Sequence, residues 1–393
     1  MPAIRSFKGL NNTADPVRLG LQWLTRADNI DITDSGGIQR RAGYALQVPG
    51  APSALYATRD ETRMYVVEGG ELRQILDDLT PRALAAGLGR ETHWAEINDQ
   101  VLYVSGEVAG VITADGAVLP WRLPVPAEPR ATAAQGGQLP AGQYRVCCTF
   151  VLADGRETPA SPAAEIVLEQ GDRLHIDQID QWPGARTRVY IASAGSTAFQ
   201  LALGDAGPSA TWTLGPEALG QELMTDGLDT LPVGVGPIAA WRGRVFAAQY
   251  MSEQDQSVVW RSEPLAPHLW NLSEGFFLVP GRVLALAPHE AGLVVGTDKA
   301  LQAYTPDALT RLADYGTVAG LPWAEDGNRL LIWTQRGLCQ FPEFANLTER
   351  RMSVAPGTHA AAAVLEMDGQ VRFVACLHAG GNPFNQRLQR GTP

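Results

Sequence analysis

The stretch Asp28-Asn29-Ile30-Asp31-Ile32-Thr33-Asp34-Ser35-Gly36-Gly37-Ile38-Gln39-Arg40-Arg41-Ala42-Gly43-Tyr44 decides how the rest of the chain is read. Ile30 and Ile32 fall on one side of an extended backbone while Asn29, Asp31 and Thr33 fall on the other, the two-residue period of a half-buried strand. Asp34-Ser35-Gly36-Gly37 supplies turn chemistry, because glycine accepts positive φ and short polar side chains bond their own backbone. Ile38 to Val48 reads as a second strand, so the first unit is a hairpin.

Working outward, a three-strand pattern recurs: a short apolar strand, a polar turn, a stronger apolar strand, a second turn and a third strand. The strong central runs begin at Met64, Val101, Val245, Leu293, Leu330 and Val371. Successive starts lie 37, 144, 48, 37 and 41 residues apart. Four of these gaps match one propeller blade of ~40–50 residues. The long gap exceeds that by about one domain. Two proline-rich seams, Pro120 to Pro129 and Gly227 to Pro237, bracket the excess.

Between the seams, Gly142 to Leu152, a turn at Ala153-Asp154-Gly155-Arg156-Glu157, and strands near 164–168, 173–179, 186–192, 198–203 and 210–214 give short strands at sandwich spacing. Trp182 or Trp212 is expected in that core. The fold class expected is all-β: a β-propeller of six or seven blades with an inserted immunoglobulin/fibronectin III-like β-sandwich. Its parts would be an N-terminal arm (1–27), a first propeller part (28–126), the inserted sandwich (127–226), a second propeller part (227–377) and a flexible C-terminal tail (378–393). Ile38 to Val48 is expected to complete the last blade.

Composition agrees with this class. The 393 residues are 45% hydrophobic and 19% charged, enough for a core, and 41 Gly with 27 Pro favour turns over long helices. A net charge of −11 argues against wrapping duplex nucleic acid, but not against a passage through which DNA slides. No leader peptide is visible in residues 1–20, and no apolar run approaches the ~18 residues of a membrane span. Adjacent Cys147 and Cys148 face opposite sides of one strand, so they cannot share a metal. With Cys339 and Cys376 they read as reduced, buried thiols.

No nucleophile elbow, HExxH, Walker A or GxGxxG pattern occurs, and the six histidines lack ligand spacing. Asp28, Asp31 and Asp34 lack the order of a calcium loop and read as a solvated strand face. No enzyme and no cofactor or metal is therefore expected. Trp94, Trp241, Trp323 and Trp333 recur at core positions of the repeat; Trp121, Trp260 and Trp270 lie nearer loops and are candidate surface anchors or sugar-stacking platforms. Candidate interface residues are Phe7, Leu10, Leu21 and Trp23, on an arm too short and interrupted to fold alone, and the pair Arg40-Arg41, suited to an acidic neighbour. The arm either packs under its own ring or crosses to another subunit.

Preceded by Phe7-Lys8-Gly9-Leu10-Asn11-Asn12 and Asp15-Pro16, the opening stretch resembles the N-terminus of tail and head-completion proteins of tailed bacteriophages, over about 40 residues. The run Leu139-Pro140-Ala141-Gly142-Gln143-Tyr144 through Glu157-Thr158 also resembles fibronectin type III-like modules of phage structural proteins. The resemblance implies a nozzle or DNA-stabilisation type subunit of the virion tail, assembled in the bacterial host cytoplasm. Its implied partners are its own copies (a ring, six by resemblance), portal or adaptor proteins, tail fibre or tip proteins, and genomic DNA in transit. The alternative is a receptor- or glycan-binding propeller on the virion, with or without glycan hydrolase activity.

Overall fold

The computed structural model describes residues 6–33, 35–41, 43, 45–353, 355, 357–367 and 370–378. The alternating apolar runs are antiparallel meanders. The first unit pairs Ala54–Ala57, Met64–Glu68, Glu71–Ile75 and Pro81–Ala86 in order; the second pairs His93–Ile97, Gln100–Ser105, Val108–Ile112 and Val118–Pro120. In the third, Ile238–Trp241, Arg244–Met251 and Gln256–Glu263 are followed by two strands, Ala266–Trp270 and Phe276–Pro280, that both pair with Gln256–Glu263. The fourth comprises Val283–His289, Gly292–Thr297, Leu301–Thr305 and Ala308–Ala313, and the fifth Trp323–Asp326, Arg329–Thr334, Gly337–Phe341 and Ala345–Asn346. The sixth is smaller: the hairpin His359–Met367 and Gln370–His378, with Ala319–Leu321 added in parallel to its first strand. The chain is all-β and propeller-like.

Turn chemistry sets the tight connections. Asn98 and Asp99 both adopt positive φ (52° and 58°) in the two-residue turn joining the first pair of strands in the second unit, the backbone that matches strand twist. Sequence reading found three strands per unit and missed the fourth. That strand is short or exposed, as in Val118–Pro120 and Pro81–Ala86, so it carries little apolar periodicity.

Neighbouring units share buried cores. Tyr65, Val67 and Leu72 pack with Val101, Tyr103 and Ile112 between units one and two. Leu102, Val104 and Trp121 pack with Val245, Ala247 and Trp270 between two and three. Phe246 and Val259 meet Leu286 and Val295 between three and four, Val294 and Leu301 meet Leu330 and Ile332 between four and five, and Trp333 meets Ala360 and Phe373 between five and six. From six back to one, the described residues hold no such apolar cluster. Two ion pairs bring distant units together: Arg59 of unit one with Glu325 of unit five at 3.0 Å, and His359 of unit six with Glu91, just before unit two, at 3.5 Å. Arg59 is mostly exposed, so each pair contributes only ~0–1 kcal/mol. Apolar packing therefore joins the six units in order along five joints.

Inserted between units two and three is a two-sheet sandwich. One sheet orders Arg130–Leu139, Asp172–Asp177 and Ala210–Trp212; the other orders Ala164–Leu168, Gly142–Leu152, Ala185–Ala192 and Gln200–Leu203. Leu139, Leu174 and Ile176 of the first sheet meet Tyr144, Val146, Cys148, Val189 and Ile191 of the second. Cys148 faces this core while Cys147 packs on the other side with Tyr190, Phe199 and Leu223, as strand alternation requires. Trp212 is the tryptophan in the main core; Trp182 lies outside it against Phe150, ring centroids 5.9 Å apart. Strand Arg130–Leu139 was not anticipated, because Ala134-Gln135-Gly136-Gly137-Gln138 has the composition of a loop; the register shifts there.

Two expectations about the opening hairpin need correction. Its second strand is Ile38–Arg40, not Ile38 to Val48, and it is exposed throughout. It also completes no blade: Ile30–Ile32 and Ile38–Arg40 form a separate two-stranded sheet. Beyond Arg41 the chain runs into Val48-Pro49-Gly50-Ala51-Pro52, where proline removes ladder donors. The hairpin meets the sixth unit through side chains instead, Arg372 Nη1 donating to Asp31 Oδ2 at 2.9 Å. Asp34, Tyr44 and the tail beyond His378 lie outside the described residues.

Candidate functional site

Two places concentrate polar and apolar groups with no obvious work inside a propeller: the N-terminal arm and the seam between ring and sandwich.

Gly9–Leu10 and Trp23–Leu24 pair in parallel, so the arm folds back on itself around Asp15-Pro16. It lies on its own chain, against the loop after unit five. Asn12 N–H donates to Arg351 O at 2.9 Å, Asn12 Oδ1 accepts from Ser353 N–H at 2.7 Å, and Thr13 Oγ1 donates to Arg350 O at 2.9 Å. The Arg351 guanidinium stacks over the Trp23 ring at 5.3 Å. Of the candidate interface residues, Phe7, Leu10 and Trp23 are half-buried in these contacts, with Phe7 N–H donating to Gly36 O at 2.7 Å. Leu21 is 66% exposed, and Arg40 and Arg41 are exposed, Arg41 pairing with Asp31 at 3.2 Å. Sequence reading missed Val17 (91% exposed) and Leu46 (79%), although their apolar character was visible. The arm therefore has an attached face and a bare apolar one. Asp31, once weighed as a calcium ligand, serves two arginines, and Asp28 pairs with Arg26.

At the seam, the chain leaves the ring near Trp121 and returns near Leu231. Arg122 clips both connectors together: Nε donates to Leu231 O (2.8 Å), Nη2 to Pro232 O (3.0 Å) and Nη1 to Glu107 O (2.7 Å). Trp270 and Asp229 exchange both backbone hydrogen bonds, at 2.8 and 2.9 Å. Trp121 and Trp270 are fully buried, with Trp121 Nε1 donating to Pro267 O at 2.7 Å, so neither is the surface anchor their loop-like surroundings suggested. Trp260 is half-buried and donates to Gln249. The sandwich turn Asp154-Gly155-Arg156 reaches the ring, where Arg156 Nη1 donates to Pro120 O at 2.8 Å and Nε to Asp154 at 2.7 Å. Beside it sits His268, 8% exposed, its Nδ1 without a partner.

Burial and the neighbouring Arg156 guanidinium hold the His268 pKa down at about 4. Unfolded, the ring titrates near 6.5. Between those values the unfolded chain binds a proton that the folded chain does not, so stability falls as pH drops from 6.5 to 4. The loss from this group is expected to be about 2–3 kcal/mol. Denaturant midpoints at pH 7 and pH 4.5 check it: the difference should shrink in His268→Gln.

The chemistry of the remaining groups is quiet. Burial pushes the Cys148 thiol up to about 12 and Cys147 higher still, opposite to an activated nucleophile. Cys339 is buried too, but Cys376 is exposed, correcting the expectation of four buried thiols. A cleft of about 420 Å³ lies at the seam near Arg145, Ser161, Phe199, Asp226 and Asp229. Arg145 is already used there, donating to Thr197 O and stacking over Phe199. No group of three His, Cys, Asp or Glu that could hold a metal ion occurs among the described residues, and no helix there is long and apolar enough to cross a membrane.

Fold and site together define the class: an all-β, propeller-like protein carrying a sandwich between two of its units and an externally laid N-terminal arm. No protein-family profile matches the chain, and no curated protein matches it. Among solved structures it is similar to apo AztD from Citrobacter koseri (11% identity, TM-score 0.29, 88% of this chain and 92% of that one). It is similar also to the AfRom2 CNH domain (8%, 0.29, 80% and 92%) and to Porphyromonas gingivalis dipeptidyl peptidase 4 (9%, 0.28, 78% and 46%). At such scores these likenesses carry no argument about what the chain does.

Proposed function

We propose that this protein is a structural subunit of a tailed-bacteriophage tail, of the nozzle or head–tail connector kind, that assembles with its own copies around the DNA exit path and docks adaptor and fibre proteins. The observation that carries the reading is the bare face of the N-terminal arm. Val17 and Leu21 are exposed on a segment that its own chain holds by hydrogen bonds and one stacked arginine. Apolar groups held in place but left uncovered mark an interaction surface.

Charge points the same way. Residues 1–50 contain six basic and four acidic side chains, a balance of +2, so the remaining 343 carry −13 of the total −11. A basic arm fits the acidic body of another copy, and complementary charge steers association. The phage assignment itself rests on the resemblance of the opening stretch. The glycan-binding alternative has less to stand on, since Trp121 and Trp270 are buried and offer no stacking face.

Native mass measurement of the full chain over a concentration series tests the proposal. A closed oligomer of fixed copy number is expected, lost in a Val17→Asp/Leu21→Asp variant whose melting midpoint is unchanged. A monomer at every concentration, alone and with adaptor proteins, would contradict it.

A further inference from the structure

The bare face of the N-terminal arm has a counterpart on the third unit. There the strand Phe276–Pro280 pairs with Gln256–Glu263 on one side, and among the described residues no strand pairs with its other side. Phe276 stands opposite Trp260 and Leu278 opposite Val258, so Phe276, Leu278 and Pro280 share the sheet face that Trp260 and Ala247 turn toward unit two. The inner part of that face is covered, Ala247 being buried in the cluster that holds Leu102 and Trp121. Its outer margin is bare. The outermost strand of unit two, Val118–Pro120, is only three residues long, and Phe276 and Leu278 stay 38% and 45% exposed. Val233, 52% exposed, joins them through Gln249, whose Nε2 donates to Val233 O at 3.0 Å while its Oε1 accepts from Trp260 Nε1 at 3.2 Å.

Acidic residues stand at both ends of this strip. Glu274 precedes Phe276 by two residues, and Glu253 lies in the turn before Gln256, which pairs with Pro280. Both are exposed and have no ion-pair partner among the described residues. The arm carries the opposite set. Arg18 lies between the exposed Val17 and Leu21, and Lys8 is tied to the residue after Leu21, its N–H donating to Gln22 O at 2.8 Å. Arg18 and Lys8 are likewise exposed and unpaired among the described residues.

We propose that this strip on unit three receives the N-terminal arm of a second copy of the chain. Val17 and Leu21 cover Phe276 and Leu278, and Arg18 and Lys8 face Glu274 and Glu253. An exposed apolar patch with a polar rim marks such a surface, and complementary rim charges fix the register. Within one chain the arm is fastened to the loop after unit five, two units away from the strip, so the contact forms between copies. Because the two surfaces differ, the contact is head-to-tail and repeats from copy to copy. It presupposes the assembly of copies proposed above and gives that assembly a surface.

Charge reversal in the full chain tests the contact. In native mass measurements over a concentration series, Arg18→Glu and Glu274→Arg are each expected to weaken assembly several-fold, and the two together to restore it. Leu278→Asp should weaken it about tenfold or more. Melting midpoints are expected to be unchanged by the two charge reversals. Proximity is read by mixing chains that carry Leu21→Cys with chains that carry Leu278→Cys, both with the exposed Cys376 changed to Ser, and adding a short bis-maleimide. A link between one chain of each kind is expected. Normal oligomers in Leu278→Asp and Glu274→Arg, or no such link, would overturn this surface and leave assembly itself standing. A monomer of the unaltered chain at every concentration would overturn both.

Discussion

Trp121→Ala is expected to lower the stability of the chain by ~3–5 kcal/mol, the usual loss for a fully buried tryptophan. The indole lies in the core between units two and three, 6.4 Å from the Trp270 ring, and its Nε1–H is satisfied by Pro267 O. Truncation opens a cavity at the joint where the sandwich is also attached, and leaves that part-buried carbonyl short of a donor. Since a domain holds only about 5–15 kcal/mol in all, much of the margin would be lost. Urea midpoints measure it. A loss below ~1 kcal/mol is what an exposed anchor would give, and would refute the packing described.

Glu157→Ala is expected to cost about 3 kcal/mol, near the range for breaking a largely buried ion pair. Glu157 Oε1 accepts from Thr149 Oγ1 at 2.5 Å and from Tyr190 O–H at 2.7 Å, while Oε2 accepts from Arg188 Nη1 at 2.9 Å. Removing the carboxylate strands a guanidinium whose Nε is already buried without a partner. Tyr190 gives a second readout. Its hydroxyl is pushed up to about 12, first by burial and then by Glu157, so its titration should move down in the variant. Glu157→Gln keeps an acceptor for the hydroxyls but no charge for Arg188, and should fall between wild type and Glu157→Ala. A tyrosine titration unchanged in both variants would contradict the network.

Much of the architecture is written in local patterns. Central strands such as Val101 to Val104 and Leu330 to Trp333 are apolar because they are covered on both faces, and their spacing exposes the repeat and its interruption. The Cys147-Cys148 pair could be assigned to opposite faces from alternation alone. What escaped was whatever depends on long-range partners. Trp121 and Trp270 stand in loop-like surroundings yet are buried by each other, a contact spanning 149 residues of sequence. The fourth strands are too short to show a period. Arg130–Leu139 hides behind glycines. Arg122, Arg156 and His268 join ring to sandwich through carbonyls and burial that no spacing announces. Of the arm, Phe7, Leu10 and Trp23 were recognisable as apolar, but only their partners separate the attached face from the bare one around Leu21.

The central claim is that the successive sheets curl round an axis until the first unit meets the fifth. Arg59 of the first unit and Glu325 of the fifth, 266 residues apart, meet there. In an Arg59→Cys/Glu325→Cys chain carrying Cys376→Ser, a short bis-maleimide should link the two positions within one molecule, giving an internally bridged monomer. Bridging absent, or found only between molecules, would mean that the sheets form an open row and that the ring described here does not exist.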